Sequence, residues 1–87
     1  MLMTKEKLQE LLLEPSPEGA KIIRQYGDVL KFLVIWKDYV RRIEYNTAHG
    51  IHPAKGRARM DIMEDYGIAK DTFYAIRDVL RQLCEDV

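Results

Sequence analysis

The stretch that decides the fold is residues 62–80, which read IMEDYGIAKDTFYAIRDVL. Apolar side chains recur at helical spacing on both sides of Gly67, at Ile62 and Tyr66 before it and at Phe73 and Ile76 after it. A glycine in this position ends a helix, because glycine adopts the left-handed backbone of a C-cap at little steric cost. The stretch therefore predicts a short helix over residues 57–66, a tight turn at 68–70, and a last helix from residue 70 or 71 to 85.

These residues resemble the helix-turn-helix of bacterial and phage DNA-binding proteins, most closely that of transposases, recombinases and phage regulatory or packaging proteins. The similarity covers about residues 57–84. It implies that Ile68 fills the corner between the two helices and that the second helix lies in the major groove of double-stranded DNA. The side chains that then face DNA are Lys70, Thr72, Tyr74 and Arg77, with Asp71, Ala75 and Asp78 beside them.

Each of the DNA-facing side chains has a physical role in this resemblance. Lys70 and Thr72 stand at a helix N-terminus, where the backbone amides and the helix dipole favour a phosphate. Tyr74 and Arg77 lie one turn further, within reach of a phosphate or a base edge. Residues 70–86 nevertheless carry four acidic and three basic side chains, so a motif that serves only for packing or protein contact is the alternative.

A local cluster of basic residues precedes the motif. Lys55, Arg57 and Arg59 open its first helix, and Arg41 and Arg42 come shortly before them, with Glu44 as the one acid in between. In the helix-turn-helix geometry the N-terminus of that helix crosses the DNA backbone. The cluster thus predicts phosphate contacts, with an ordinary solvated loop as the alternative.

The rest of the chain also contains residues that are typical of helix starts and ends. Thr4 and Pro15 bound a first helix over residues 5–14, and Ser16 followed by Pro17 is typical of a new helix start. Helical periodicity then continues to about Tyr45, with an interruption at Gly27 and Asp28 that leaves either one long helix or two. Residues 46–56 are predicted to form a loop. The prediction is an all-α bundle of four or five helices that ends in the helix-turn-helix.

One domain is expected over residues 1–87, because a chain of this length does not divide. Within it, residues 1–46 form the helical core. Their central apolar residues are spaced alternately by four and three, as in a coiled-coil seam: Ile22, Tyr26, Val29, Leu33, Trp36, Val40 and Ile43. This stripe predicts either a plain core helix or a homodimer interface that includes Val29, Leu33, Trp36 and Val40.

Composition and charge limit the classes of function that are expected for this chain. Fourteen basic residues balance fourteen acidic ones, so only a local patch attracts nucleic acid. The single Cys84 favours a reducing, cytoplasmic setting, and neither a signal peptide nor a membrane span is expected. His49 and His52 have no ligand-type partner nearby in sequence, so no metal site is expected. No catalytic motif or cofactor-binding loop stands out, and we expect neither an enzyme nor a cofactor.

Two functions from different classes follow. The first is a small DNA-binding protein, such as a transcription regulator or packaging component of a phage or mobile element. The alternative is a helical adaptor between proteins. The feature that separates them is whether Lys55, Arg57, Arg59, Lys70 and Arg77 converge on one face.

Overall fold

The computed structural model describes residues 2–87 and confirms an all-α fold of five helices. They are α1 (Lys5–Leu13), α2 (Pro17–Tyr26), α3 (Val29–Ala48), α4 (Ala54–Tyr66) and α5 (Lys70–Leu83). The helix α3 contacts all four others and packs most extensively on α4. The molecule is elongated, with principal extents of 44 × 24 × 19 Å.

Side-chain caps explain where the first three helices begin. The hydroxyl of Thr4 accepts a hydrogen bond from the amide of Lys7, and that of Ser16 accepts one from Gly19. Gly27 ends α2 with a φ of 86°, and the carboxylate of Asp28 then accepts from the amide of Lys31. The long periodic stretch is therefore two helices, because a positive-φ glycine and a new cap interrupt it.

The loop predicted over residues 46–56 is shorter in the structure. Helix α3 continues to Ala48 and α4 already begins at Ala54. The reason is Asn46, which is buried although its residue type is typical of loops. Its side-chain amide donates to the carbonyl of Ala54 at 3.1 Å, and its own carbonyl accepts from Ile51. One buried asparagine thus ties the end of α3 to the start of α4.

The core is formed by the inner faces of α1, α3, α4 and α5. Its largest fully buried side chains are Phe73, Leu8, Leu33, Ile35, Ile62, Leu80 and Val29. Trp36 joins them with 7% of its surface exposed, and its ring lies 5.6 Å from that of Phe73. Three of the four residues considered for a homodimer interface, Val29, Leu33 and Trp36, are therefore covered by their own chain.

Arg42 links α3 to α4 through an ion pair. Its guanidinium donates to both carboxylate oxygens of Asp38 at 3.0 and 3.2 Å and to Asp65 at 2.6 Å. The hydroxyl of Tyr66 also donates to Asp38, at 2.8 Å. The hydrogen bonds from Arg42 lower the pKa of Asp38 although partial burial opposes them, and the bond to Asp38 raises the pKa of Tyr66.

The turn between α4 and α5 has the predicted glycine geometry. Gly67 has φ 62° and ψ 38°, and the amides of Gly67 and Ile68 donate to the carbonyls of Glu64 and Met63. These two bonds form a Schellman motif, which satisfies the last carbonyls of α4. Phe73 and Ile76 of α5 then point into the core, so α4 and α5 form a helix-turn-helix.

The two ends of the chain lie side by side. Met3 and Cys84 form an isolated parallel bridge, in which the amide of Met3 donates to Leu83 and the amide of Glu85 donates to Met3. Close by, the amide of Lys5 donates to the carboxylate of Asp86 at 2.9 Å. This terminal clasp, residues 3–5 against 83–86, holds the start of α1 beside the end of α5.

Candidate nucleic-acid interface

A groove of about 610 Å³ runs between α3, α4 and α5 and ends at the terminal clasp. Five basic side chains surround it: Lys5, Lys55, Arg59, Arg77 and Arg81. Asp86 is the one acidic residue in its lining within the part of the chain that the structure describes. The protein as a whole carries no net charge, so this basic groove concentrates positive charge locally.

Helical spacing explains why these side chains meet. Lys55 and Arg59 are four residues apart on α4, and Arg77 and Arg81 are four residues apart on α5, so each pair lies along one flank of its helix. Tyr74 precedes Arg77 by three residues and shares its flank. The turn at Gly67 brings the two flanks to opposite sides of the same groove.

The inner wall of the basic groove is aromatic and apolar. Tyr39 and Tyr74 line it while half-buried, together with Val40 and Ile43. The ring of Tyr39 meets that of Phe73 edge to face at 4.9 Å. Burial raises the pKa of Tyr39, with Arg59 and Arg77 opposing the shift, so its hydroxyl stays neutral at physiological pH.

Tyr74 lies between the two motif helices. The guanidinium carbon of Arg77 is 4.7 Å from the centre of its ring, and that of Arg59 is 5.9 Å away. Both distances are typical of cation–π contacts. The arrangement orders two arginine head groups at the rim, of which Arg59 forms no ion pair within residues 2–87.

The cations differ in how far they are engaged. Arg77 forms an ion pair with its neighbour Asp78 at 3.0 Å, and the Lys5 ammonium donates to the carbonyl of Asp86 at 3.1 Å. Lys55, Arg59 and Arg81 form no ion pair with any side chain of residues 2–87. These three charges are therefore not neutralised by a carboxylate within residues 2–87.

The structure brings some of the predicted DNA-facing residues together and separates others. Lys55, Arg59, Tyr74 and Arg77 all line the basic groove. Arg57 instead lines a separate depression beside Asp61 and Arg42. Lys70 and Thr72 are exposed at the start of α5, outside the groove lining.

Tyr74 and Arg77 also point differently from the expectation. They are half-buried against the groove, whereas the exposed residues of α5 are Lys70, Asp71, Thr72, Ala75, Asp78, Arg81 and Gln82. The exposed surface of α5 therefore carries two acidic and two basic side chains, and Arg77 and Arg81 lie on the flank that lines the groove.

Sequence reasoning missed three groove residues. Arg81 follows Arg77 by one helical turn, so the same spacing argument identifies it. Lys5 and Tyr39 belong to α1 and α3 and reach the groove only through tertiary packing, and no local pattern marks them.

The structure places His49, His52 and Val40 in three different surroundings. The ring of His49 stacks on that of Tyr45 at 4.0 Å, and His52 is exposed before a cis peptide bond to Pro53. Among residues 2–87, no three His, Cys, Asp or Glu side chains gather into a metal-binding group. Val40, considered for a homodimer interface, lines the basic groove.

Comparison with known proteins adds no relative. No protein-family model, no curated protein and no solved structure matches the chain. None of the helices over residues 2–87 is long and apolar enough to cross a membrane.

Proposed function

We propose that this protein binds double-stranded DNA through the basic groove, with α4 and α5 acting as a helix-turn-helix. The observation that carries the proposal is the convergence of Lys55, Arg59, Arg77 and Arg81 on one groove in a chain of zero net charge. Phosphate contacts dominate the affinity of DNA-binding proteins, and clustered lysines and arginines supply them.

The charge distribution of α5 indicates how DNA would lie. Asp71 and Asp78 repel phosphate from their part of the exposed surface, and Arg77 and Arg81 attract it to the adjoining flank that lines the groove. A phosphate strand therefore follows the basic groove. Lys70 and Thr72 at the exposed N-terminus of α5 are then available for a further phosphate contact, because helix amides favour an anion.

One chain carries the complete groove, so the proposal does not require a dimer. A second copy would double the number of phosphate contacts on a two-fold symmetric site. The resemblance of the motif to phage and mobile-element proteins leads us to propose a role in transcription regulation or DNA packaging. The buried, unpaired Cys84 is compatible with action in the reducing cytoplasm.

The proposal is tested by titrating a labelled duplex of mixed sequence at several salt concentrations. If about four phosphates are neutralised, log affinity falls against log salt with a slope of about −3.6. Replacing Arg59 or Arg81 with alanine should make that slope shallower by roughly 0.9. Lys31→Ala, on the exposed side of α3 outside the groove, is the matched control and should leave it unchanged.

Absence of duplex binding even at about 50 mM salt would overturn the proposal. An equal loss of affinity in Lys31→Ala and Arg59→Ala would overturn the groove as the site. In the first case the helical adaptor is the remaining function.

A further inference from the structure

The inner wall of the basic groove is more aromatic than phosphate binding requires. Phosphate contacts need only charged or polar donors at the rim. The groove instead exposes parts of Tyr39 and Tyr74 beside Val40 and Ile43. An apolar wall under a ring of cations fits a ligand that is flat and apolar on one side and anionic on the other.

We infer that the basic groove accepts an unpaired nucleotide of DNA, with its base against Tyr74 and Tyr39 and its phosphates on Arg59, Lys55 and Arg81. The inference deepens the proposed function, because it assigns a ligand unit to the same groove. Nucleotides have the required combination of a planar ring and a charged phosphate. Proteins that bind single strands use this arrangement, in which a basic groove follows the backbone and aromatic rings stack on bases.

The dimensions and the contacts agree with one nucleotide unit. The groove volume of about 610 Å³ lies within the range of small-ligand sites. Arg77 lies over the ring of Tyr74 and is held by Asp78. A guanidinium plane stacks on bases as aromatic rings do, so Arg77 is a second planar group at this site, although it covers one face of the Tyr74 ring.

The aromatic wall of the groove favours a nucleic acid over an acidic peptide. Carboxylates of a peptide would satisfy the cations but would leave the tyrosine wall without a planar partner. A short abasic strand presents the same phosphates without bases. It therefore separates the contribution of the aromatic wall from that of charge.

The test compares two single strands of equal length and phosphate number, an eight-residue oligothymidylate and an abasic octamer. The fluorescence of Trp36 reports binding, since it is the only tryptophan and lines the groove. We expect the oligothymidylate to bind about 5- to 150-fold more tightly, the factor that corresponds to stacking of one base on an aromatic ring.

Variants locate the effect. Tyr74→Ala should reduce the difference between the two strands, because only Tyr39 of the tyrosine wall is left. Tyr74→Phe should keep the difference, and Arg59→Ala should weaken both strands equally. Tyr45→Ala is the matched control, because Tyr45 is an exposed tyrosine of α3 outside the groove. If Tyr74→Ala does not fold, the affinities of the unaltered protein for the two strands still test the inference.

Equal affinity of the unaltered protein for the two strands would overturn the inference. A difference that is undiminished by Tyr74→Ala in the folded protein would also overturn it. Duplex binding without any preference for bases over abasic sites leaves the proposed function standing and the inference refuted. Preference for the oligothymidylate without duplex binding would support the inference and refute the proposed binding of double-stranded DNA.

Discussion

Arg59 of α4 lies over the ring of Tyr74 of α5, with 5.9 Å between the guanidinium carbon and the ring centre. This contact links the two helices of the motif across the basic groove rather than through the core. Both side chains also line the groove proposed to bind DNA. A change at either residue is therefore expected to alter binding more than stability.

Arg57 and Arg59 give a direct comparison on one helix. Both are basic residues of α4, but Arg59 lines the basic groove and Arg57 lines a different depression. We expect Arg59→Ala to make the salt dependence of DNA binding shallower by roughly 0.9 and Arg57→Ala to change it little. Fluorescence anisotropy with a labelled duplex at 50 to 200 mM salt measures both. Equal effects of the two substitutions would show that DNA does not follow the groove.

Phe73 is the side chain on which the motif depends for stability. It is 2% exposed and contacts the rings of Trp36, Tyr39 and Tyr74. Phe73→Ala should lower the free energy of unfolding by about 3–5 kcal/mol, because the cavity adds to the lost burial. Urea denaturation followed by circular dichroism measures this change. Leu13→Ala is the control, since Leu13 is 63% exposed and should change stability by less than about 0.5 kcal/mol.

Gly67 is required for its backbone conformation and not for space. With φ at 62° it is left-handed, and a Cβ added there would meet no atom of residues 2–87 within 4 Å other than those of its two chain neighbours. Gly67→Ala should therefore cost about 1 kcal/mol through conformation alone. Gly67→Asn should cost less, because asparagine tolerates this region better. Thermal unfolding of the two variants checks the order, and equal stability of Gly67→Ala and the unaltered protein would contradict it.

The Asp38–Arg42 pair predicts a loss of stability in acid. Hydrogen bonds from Arg42 keep the pKa of Asp38 below its ordinary value in the folded protein. A carboxyl with a lowered folded pKa contributes stability above its unfolded pKa and loses it as the pH falls through the folded one. The contribution should thus be complete above about pH 5 and decline below about pH 4.

Asp38→Asn measures this contribution. The variant should be about 1 kcal/mol less stable at neutral pH, a modest figure because the side chain is 27% exposed. The difference from the unaltered protein should shrink towards pH 3 in urea denaturation. Glu44→Gln, an exposed substitution on the same helix, is the control and should leave the pH profile unchanged. A difference that is constant from pH 7 to pH 3 would contradict the prediction.

Cys84 should be an unreactive thiol in the folded protein. Burial raises its pKa to about 11, with Asp86 contributing, and its side chain is nearly inaccessible. The thiolate fraction at pH 8 is then roughly 100-fold below that of an ordinary cysteine. Reaction with a disulfide reagent should be at least that much slower in buffer than in denaturing urea. Similar rates in the two solutions would show that the terminal clasp opens readily.

Local patterns predict most of this fold because they act within a few residues. Thr4, Ser16 and Gly67 mark helix ends through bonds to their own neighbours, and each functions as predicted. Asn46 is the exception. Its residue type is typical of loops, but the carbonyl that it binds belongs to Ala54 of the next helix, and no pattern in the surrounding residues shows that partner.

The candidate site was predictable to a similar extent. Lys55, Arg59, Tyr74 and Arg77 follow from the motif and its spacing, because the two helices that carry them are joined by one turn. Their direction does not follow, since α3 supplies the far wall of the groove through Tyr39. An outward orientation of Tyr74 is what the motif alone implies, and the third helix changes it.

The terminal clasp affects the order in which the parts of the groove form during folding. Lys5 and Asp86 are 81 positions apart, whereas the helices of the motif meet across a single turn. Closing so long a loop costs entropy that grows with its length, and such distant contacts are slow to form. The clasp is therefore expected to close after α3, α4 and α5 have packed, so that the Lys5 side of the groove is the last part of this surface to be completed during folding.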